Sequence, residues 1–344
     1  MILITGATGL IGSHLLYCLL SDGGDEPIRI VVRNRSRIEG ILRVFRCYDP
    51  SWSALPDRVE VVEGDLFDGD DVSVFLEGVN RVYHCAAVVS FSPRDRYRLI
   101  EGNTELTANL VNGMLAMGVR RLVHVSSTSA TGRPLPGMAV TEDLEWEYSR
   151  MQSGYAVSKF ESEREVWRGW AEGLEVAIVN PAMVLGPGNW GESSTGLISR
   201  CDQGLLFYTE GVNAYVDVRD VVEAMVLLME SDINGERFIL ASANISFKEF
   251  FFKVCHALGR PVPRFRARRW MAELVWRLEH LRSLITRRPP VITKETARTA
   301  LATTRYSSKK AEEMLEIWFR PIDESIEWTC EHYLKEKQGS YSAS

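Results

Sequence analysis

Long apolar runs, paired cysteines and a strong excess of either charge are all missing from this chain of 344 residues. Because no apolar stretch approaches the roughly 20 residues of a transmembrane helix, we expect no membrane span. The six cysteines are scattered, with no CxxC pair and no histidine at ligand spacing. This pattern predicts reduced thiols, a cytoplasmic location and no structural metal. The net charge of −6 gives no reason to expect nucleic-acid binding.

A stretch preceding the first structural element is also missing, because a strand pattern begins at Met1. We therefore expect no signal peptide. The composition, 45% hydrophobic and 25% charged, is that of an ordinary globular protein. The length allows one large domain or two modest ones.

The strongest motif lies in the first twelve residues. The apolar run 1–4 predicts a buried strand, and leucines at helical spacing from residue 15 predict a helix. Between them, Gly6 allows a sharp turn, Gly9 lets the backbone approach a pyrophosphate, and Gly12 lets the helix pack closely on the sheet. The positive end of that helix would face the phosphates. The residues assigned to cofactor binding here are Gly6, Thr8, Gly9, Leu10, Ile11 and Gly12.

The end of the second predicted strand, 28–32, bears on the choice between NAD and NADP. A carboxylate near this point binds the ribose 2′-hydroxyl of NAD, whereas an arginine accommodates the 2′-phosphate of NADP. No carboxylate follows this strand, and Arg33, Arg35 and Arg37 fall within five residues. Guanidinium groups suit phosphate, so we favour NADP and place Arg33 and Asn34 in the cofactor site. A solvated loop is an equally good interpretation of Arg37.

Strands alternate with helices five times before residue 130, with further strand patterns at 58–62, 81–87 and 121–125. This alternation predicts an α/β fold, a Rossmann-type doubly wound parallel sheet that binds its ligand at the carboxyl ends of the strands. Ala86 and Ala87 end the fourth strand, where small side chains would let the backbone approach the cofactor. We interpret His84, inside that strand, as a core histidine.

A tyrosine and a lysine at helical spacing follow the serine-rich end of the fifth strand. Tyr155 and Lys159 are four residues apart and share one helix face. A nearby ammonium and an oxidised nicotinamide would favour the phenolate, and lowering the tyrosine pKa by about three units takes roughly 4 kcal/mol. Such a tyrosine can exchange a proton with a substrate oxygen while hydride moves to or from the nicotinamide. YxxxK recurs at Tyr306/Lys310 and Tyr333/Lys337, which we interpret as surface pairs on C-terminal helices.

These motifs together resemble the extended short-chain dehydrogenase/reductases, the NAD-dependent epimerase/dehydratase superfamily, whose chains open with TGxxGxxG. The resemblance implies a catalytic triad of Ser127, Tyr155 and Lys159, with the serine five residues before Gly132. It also implies that Asp65 and Leu66 lie against the adenine. The cofactor-binding residues that it implies are completed by Asn103, Tyr155, Lys159 and Pro181.

Three stretches bear on the branch of this superfamily. Thr128-Ser129 stands where sugar 4,6-dehydratases carry Asp-Glu, which argues against dehydration. Residues 180–187 resemble dihydroflavonol and cinnamoyl-CoA reductases, and 288–321 resembles the 3β-hydroxysteroid dehydrogenase branch. The resemblance implies an NAD(P)-dependent oxidoreductase that interconverts a carbonyl and an alcohol on a bulky, fairly apolar small molecule. The alternatives are a nucleotide-sugar epimerase with tightly bound NAD and a cofactor-sensing binding protein without turnover. An intact Tyr155/Lys159 pair counts against the last.

The chain divides into interleaved parts rather than two separate domains. We expect a dinucleotide-binding core over 1–180, to which 213–232 returns, and a smaller substrate-binding region over 181–212 and 233–335. Residues 336–344 are expected to be a flexible tail, and a homodimer stays open.

The segment 260–288 holds nine arginines against Glu273 and Glu279, with tryptophans and leucines between them. One interpretation is a helix roofing the substrate cleft, with its apolar side chains buried and its arginines solvated. The other is a basic amphipathic segment resting on anionic lipid, with Trp270 and Trp276 exposed. We favour the roof, because the family resemblance continues on both sides of the segment.

Overall fold

A computed structural model describes residues 1–90, 92–135, 137–149, 152–191, 194–286 and 293–339. Within these ranges the strands are β1 (Ile2–Thr5), β2 (Ile28–Val32), β3 (Val59–Glu63), β4 (Arg81–His84), β5 (Arg121–Val125), β6 (Glu175–Pro181), β7 (Met183–Leu185), β8 (Phe207–Tyr208), β9 (Val212–Asp217), β10 (Glu236–Leu240), β11 (Ala243–Ser246) and β12 (Phe265–Arg266). The helices are α1 (Leu10–Ser21), α2 (Ile38–Arg46), α3 (Gly69–Leu76), α4 (Arg96–Met117), α5 (Gly154–Ala171), α6 (Thr195–Gly204), α7 (Val218–Glu230), α8 (Phe247–Ala257), α9 (Arg269–Thr286), α10 (Lys294–Thr299), α11 (Lys309–Leu315) and α12 (Ile322–Lys337).

The main sheet of the described chain has seven strands in the order β10-β6-β5-β4-β1-β2-β3, all parallel. In its centre Ile4 lies between Ile30 of β2 and Tyr83 of β4. Every residue of β1, β2 and β5 is buried, as expected for a parallel sheet covered on both faces. The predicted Rossmann-type doubly wound fold is therefore confirmed.

Two apolar layers cover the faces of this sheet. Leu15 of α1, Phe45 of α2 and Val221 of α7 belong to one buried cluster. Leu110 of α4 and Val166 of α5 belong to the cluster on the opposite face. The stretches 38–48 and 100–117 have the apolar spacing of helices, and they form α2 and α4 with one end of each helix shifted by a few residues. None of the helices in the described part of the chain is long and apolar enough to cross a bilayer.

The region after β6 corrects one part of the predicted organisation. We expected the strand near 214–218 to return to the main sheet, but β9 lies in a separate three-stranded sheet, β11-β9-β7. The seventh strand of the main sheet is instead β10, within the range we had assigned to the substrate region. Both strands are short and mix apolar with polar residues, so their local pattern does not distinguish them. The helix that follows β9 does return, because α7 packs against α1, β5 and β6.

The C-terminal part of the chain closes back onto the core. Arg320 forms an ion pair with the buried Asp220 of α7, and its backbone N–H donates to the same carboxylate at 2.9 Å. Phe250 of α8 and Ile326 of α12 share a further buried cluster. The predicted flexible tail lies partly outside the described residues, and α12 extends to Lys337 within it.

Candidate active site

The glycine turn between β1 and α1 has the close contacts that its spacing predicts. Gly6 has a φ of +70°, and a Cβ at this position would lie 2.5 Å from the backbone nitrogen of Ala86. A Cβ on Gly12 would lie 2.3 Å from the carbonyl oxygen of Gly6. Side chains are thus excluded from both positions, and the turn lies directly against the end of β4.

The first turn of α1 is open to an anion. Gly9 is its N-cap, and no side chain of the described residues forms a capping hydrogen bond there. The backbone N–H groups of that turn have no intrahelical acceptors, so they suit the phosphates of a dinucleotide. Thr8, Leu10 and Ile11 are half-buried around the turn. The residues present therefore fit the pyrophosphate of a dinucleotide cofactor.

The three arginines after β2 differ in their surroundings. Arg35 donates to the Val61 carbonyl at 2.9 Å and lies 3.8 Å from Glu63, so β3 holds it. Arg33 and Arg37 are exposed, and among the described residues neither forms an ion pair. The side chain of Asn34 accepts a hydrogen bond from the Ser36 backbone at 2.8 Å. Arg33 directly follows the carboxyl end of β2, which lies next to the last strand of the sheet, β3.

The residues implied for the adenine and the central cofactor region occupy the same edge of the sheet. Asp65 and Leu66 follow β3, where Leu66 is buried. Ala86 and Ala87 are half-buried after β4, and the buried Pro181 ends β6.

Asn103 lies deeper than its neighbours and is engaged with the protein. Its amide nitrogen donates to the Val88 carbonyl at 2.8 Å and to the Ser158 hydroxyl at 3.2 Å. Its amide oxygen accepts from the Val88 N–H at 2.7 Å. This side chain therefore fastens the loop after β4 to α5.

The structure brings Ser127, Tyr155 and Lys159 together at the end of β5. The side chains of Tyr155 and Ser127 are hydrogen-bonded to each other. The Lys159 amine donates to the Val125 carbonyl at 2.9 Å, two residues before the serine. Ser153 caps α5 by accepting from the Ala156 N–H at 2.9 Å, which sets where the helix begins. Tyr155 therefore lies in the first turn, facing the strand end.

Burial controls the protonation of this cluster. It lowers the pKa of Lys159 to about 8, and the nearby carboxylate of Glu163 opposes the change. It raises the pKa of Tyr155, and the hydrogen bond with Ser127 opposes that change. Burial thus favours the neutral phenol, whereas the ammonium and an oxidised nicotinamide together are expected to favour the phenolate. Tyr155 is thus a neutral phenol with a proton available to donate.

Two residues near the site were missed at the sequence level. Glu163, four residues after Lys159, is buried, accepts a hydrogen bond from Asn180, and lies 3.6 Å from Arg237. The repeated four-residue step from Tyr155 through Lys159 to Glu163 was a signal that could have identified it.

The second missed residue corrects our interpretation of the other two YxxxK pairs. Tyr306 is half-buried outside any helix, with its side chain hydrogen-bonded to Thr128 beside the triad, because residues near 306 pair with Val140. Tyr333 is also buried, and its hydroxyl donates to Asp202 at 3.0 Å. Neither is a surface pair.

The prediction that His84 is a core histidine is confirmed. His84 is fully buried, and one ring nitrogen lies 2.7 Å from the Thr5 hydroxyl. Burial lowers its pKa to about 3, so it is a neutral core histidine.

The expected burial of the segment 260–288 is wrong for its described part. Trp270 and Leu278 of α9 are exposed, whereas a roof over the cleft would have buried them. Trp276 is half-buried, with its indole N–H donating to Glu273 at 3.0 Å. The expectation that the arginines face solvent holds for Arg277, which is exposed. Residues 287–292, which include the Arg288-Pro289-Pro290 motif, lie outside the described residues.

Comparisons with known proteins identify the family of the chain. Residues 2–241 match the model of the NAD dependent epimerase/dehydratase family. Sterol demethylase protein B of Methylococcus capsulatus is 32% identical over 268 residues, covering 76% of each chain. A putative dihydroflavonol 4-reductase of Synechocystis is 28% identical over 300 residues, covering 84% of this chain and 81% of that protein.

The solved structures show the same fold. A dTDP-glucose 4,6-dehydratase of Streptomyces venezuelae, crystallised with NAD, has a TM-score of 0.73 at 20% identity, covering 99% of this chain and 98% of that chain. An identity of 20% shows that the two proteins share a fold, and it carries no conclusion about the substrate. The predicted resemblance is confirmed by the family match, so the chain belongs to the NAD dependent epimerase/dehydratase family and is an NAD(P)-dependent oxidoreductase of the extended short-chain dehydrogenase/reductase type.

Proposed function

We propose that the protein interconverts a carbonyl and an alcohol on a bulky, fairly apolar small molecule, with NADP as its preferred cofactor. The observation that carries the proposal is the half-buried Tyr155, hydrogen-bonded to Ser127 at the edge of the sheet that the glycine turn also reaches. A proton donor beside a dinucleotide site is the arrangement that carbonyl reduction requires.

Each residue of the triad has a distinct role in this proposal. The phenol of Tyr155 gives its proton to the substrate oxygen during reduction and takes it back during oxidation. The hydroxyl of Ser127 holds the same oxygen by a hydrogen bond. Lys159, anchored on the Val125 carbonyl, is a positive charge near the point where negative charge develops. The nicotinamide, when bound, supplies or accepts the hydride.

The cofactor would be held by the residues already described at the carboxyl edge of the sheet. Gly6, Gly9 and Gly12 would hold the pyrophosphate, and the exposed Arg33 would hold the 2′-phosphate. Asp65 would lie near the adenine. Asn103 would act indirectly, by fixing the Val88 loop.

The relatives favour reduction of an apolar substrate over the epimerase alternative. Two relatives that cover most of this chain are named as a sterol demethylase protein and a dihydroflavonol reductase. Gel filtration separates the alternatives, because an epimerase keeps NAD through the column and a reductase releases its cofactor.

The substitution Tyr155→Phe tests the proposal. It removes the proton and keeps the ring, so we expect turnover to fall by about 10²–10⁴-fold with dinucleotide affinity nearly unchanged. Tyr333→Phe is the matched control, since that buried tyrosine of another YxxxK pair is bonded to Asp202 outside the site. If the Tyr155→Phe variant keeps more than about a tenth of the wild-type activity, Tyr155 is not the proton donor.

The remaining parts of the proposal concern organisation. The cofactor core comprises residues 1–180 with α7 and β10, and the substrate region comprises 181–212 with most of 241–335. A cytoplasmic location and a homodimer stay predictions.

A further inference from the structure

Helix α9 carries a row of large apolar side chains that the protein leaves uncovered. Trp270, Leu274, Leu278 and Leu281 are 64%, 50%, 57% and 54% exposed. Their spacing of four, four and three residues places them along one face of the helix, and we call them the α9 strip.

The strand pair β8–β12, whose second strand ends shortly before α9 begins, also exposes large apolar side chains. Phe207 of β8 and Phe265 of β12 have ring centroids 5.7 Å apart, and both rings are exposed. Leu206, next to the first of them, is exposed as well. Singly exposed apolar residues are ordinary, but a concentration of them on neighbouring elements indicates a binding surface.

The charge of the same segment is opposite to that of the rest of the chain. Residues 260–288 contain nine arginines and two glutamates, a net charge of +7 in a chain of net charge −6, so the remainder carries −13. Arg264, Arg268 and Arg269 are exposed, and no carboxylate of the described residues forms an ion pair with them. Four other arginines of the segment are paired with carboxylates. The positive charge that no described carboxylate neutralises is therefore that of these three arginines, at the start of α9 and just before it.

We propose that α9 and the β8–β12 pair dock on an anionic membrane surface. A helix with an apolar face and flanking arginines lies in the interface of a bilayer, where apolar side chains enter the acyl boundary and arginines meet the phosphates. Helix α9 is not long and apolar enough to cross a bilayer, so the proposed contact lies at the membrane surface. An acidic protein surface would match the arginines and leave the exposed tryptophan and leucines without an apolar partner.

The position of α9 gives this docking a consequence for the active site. The Ser283 carbonyl of α9 accepts a hydrogen bond from Arg94 at 3.1 Å, in the segment between β4 and α4. The neighbouring α10 places Glu295 3.8 Å from Arg96, and its carboxylate accepts from the backbone of Gly154, next to Tyr155. On the proposed function, docking would bring the cleft close to a reservoir of apolar substrate.

Sedimentation with vesicles tests the docking. The full chain is mixed with vesicles of phosphatidylcholine, with and without phosphatidylserine, at low and high salt. We expect binding to the anionic vesicles alone, weakened by salt. Trp270→Gln should weaken it about tenfold or more, and replacing Arg264, Arg268 and Arg269 by Gln should weaken it roughly a hundredfold, at about fivefold per arginine.

Matched variants outside the segment provide the controls. Trp318→Gln removes a tryptophan that is 90% exposed. The triple variant Arg98→Gln, Arg120→Gln, Arg133→Gln removes three exposed arginines. Equal binding to neutral and anionic vesicles, or equal losses in the controls, would overturn the proposal. Self-association that Trp270→Gln abolishes, without vesicle binding, would also overturn it in favour of a second copy of the chain.

Failure of this inference is distinguishable from failure of the proposed function. Trp270→Gln should leave turnover of a water-soluble carbonyl compound unchanged in the absence of vesicles. If vesicle binding is absent while Tyr155→Phe still abolishes turnover, only the docking is refuted.

Discussion

A test of the buried site is to replace Lys159 by methionine, which keeps a side chain of similar length and removes the charge. Lys159 is only 4% exposed, and burial lowers the pKa of its amine from the ordinary 10.5 to about 8. That change corresponds to roughly 3 kcal/mol against the charged form in the folded protein. The variant also leaves the Val125 carbonyl without its donor, at a cost of about 1 kcal/mol. We therefore expect Lys159→Met to be inactive, yet about 2 kcal/mol more stable at pH 7.

The pH dependence of the stability difference between Lys159→Met and the wild type shows whether the buried charge causes it. Below pH 8 the lysine is protonated in both states, so the full cost of burying the charge is present. Between about 8 and 10.5 the unfolded chain holds the proton and the folded protein does not, so the wild type gains stability relative to the variant as pH rises. Urea unfolding of both proteins from pH 7 to 10 should show the gap narrowing.

Lys310→Met is the matched control, because it makes the same change in another YxxxK pair. Its amine is partly exposed and bonded to Glu236 at 2.6 Å, so we expect a loss of stability of at most about 1 kcal/mol. If Lys159→Met is less stable than the wild type at pH 7, or the gap does not change with pH, the reasoning from burial is refuted.

Three further predictions concern the cofactor and the triad. Arg33→Asp should weaken NADP binding about ten- to a hundredfold and NAD binding far less, and equal losses in titrations of both would contradict its role. Gly12→Ala should lower the free energy of unfolding by about 1–3 kcal/mol and should also lower the affinity for the dinucleotide. Gly24→Ala, where a Cβ meets open space, should change neither quantity in thermal unfolding and binding assays. Glu163→Gln removes an anion that raises the pKa of Lys159, so the alkaline limb of the kcat–pH profile should move to lower pH; an unchanged limb would exclude this role.

Features set by short-range spacing could be predicted from the sequence. The turn at Gly6 and the pairing of Tyr155 with Lys159 each lie within one turn or helix, so residue spacing alone determines their geometry. The parallel sheet could be predicted as well, because strands that alternate regularly with helices are typical of a parallel sheet covered on both faces.

Features set by long-range packing could not be predicted. Tyr306 reaches Thr128 because backbone pairing joins segments more than 160 residues apart in sequence, and no local pattern records it. The direction of the Tyr155 pKa could not be predicted for the same reason, because the burial of its side chain depends on which distant elements cover the site. The outward face of α9 was misjudged because a helical apolar period does not specify whether protein or solvent lies against it.

The position of β10 in the main sheet has a consequence for biosynthesis. β6 is complete at Pro181, but its outer neighbour is not finished until Leu240, about sixty residues later. At roughly 5–20 residues per second, the ribosome leaves a buried apolar strand as an open edge for about 3–12 s. Open edges pair readily with other chains, so this interval is when the nascent protein is most prone to aggregate. Substitutions in α7 that slow its packing would therefore lower the yield of folded protein even where the finished molecule is as stable as before.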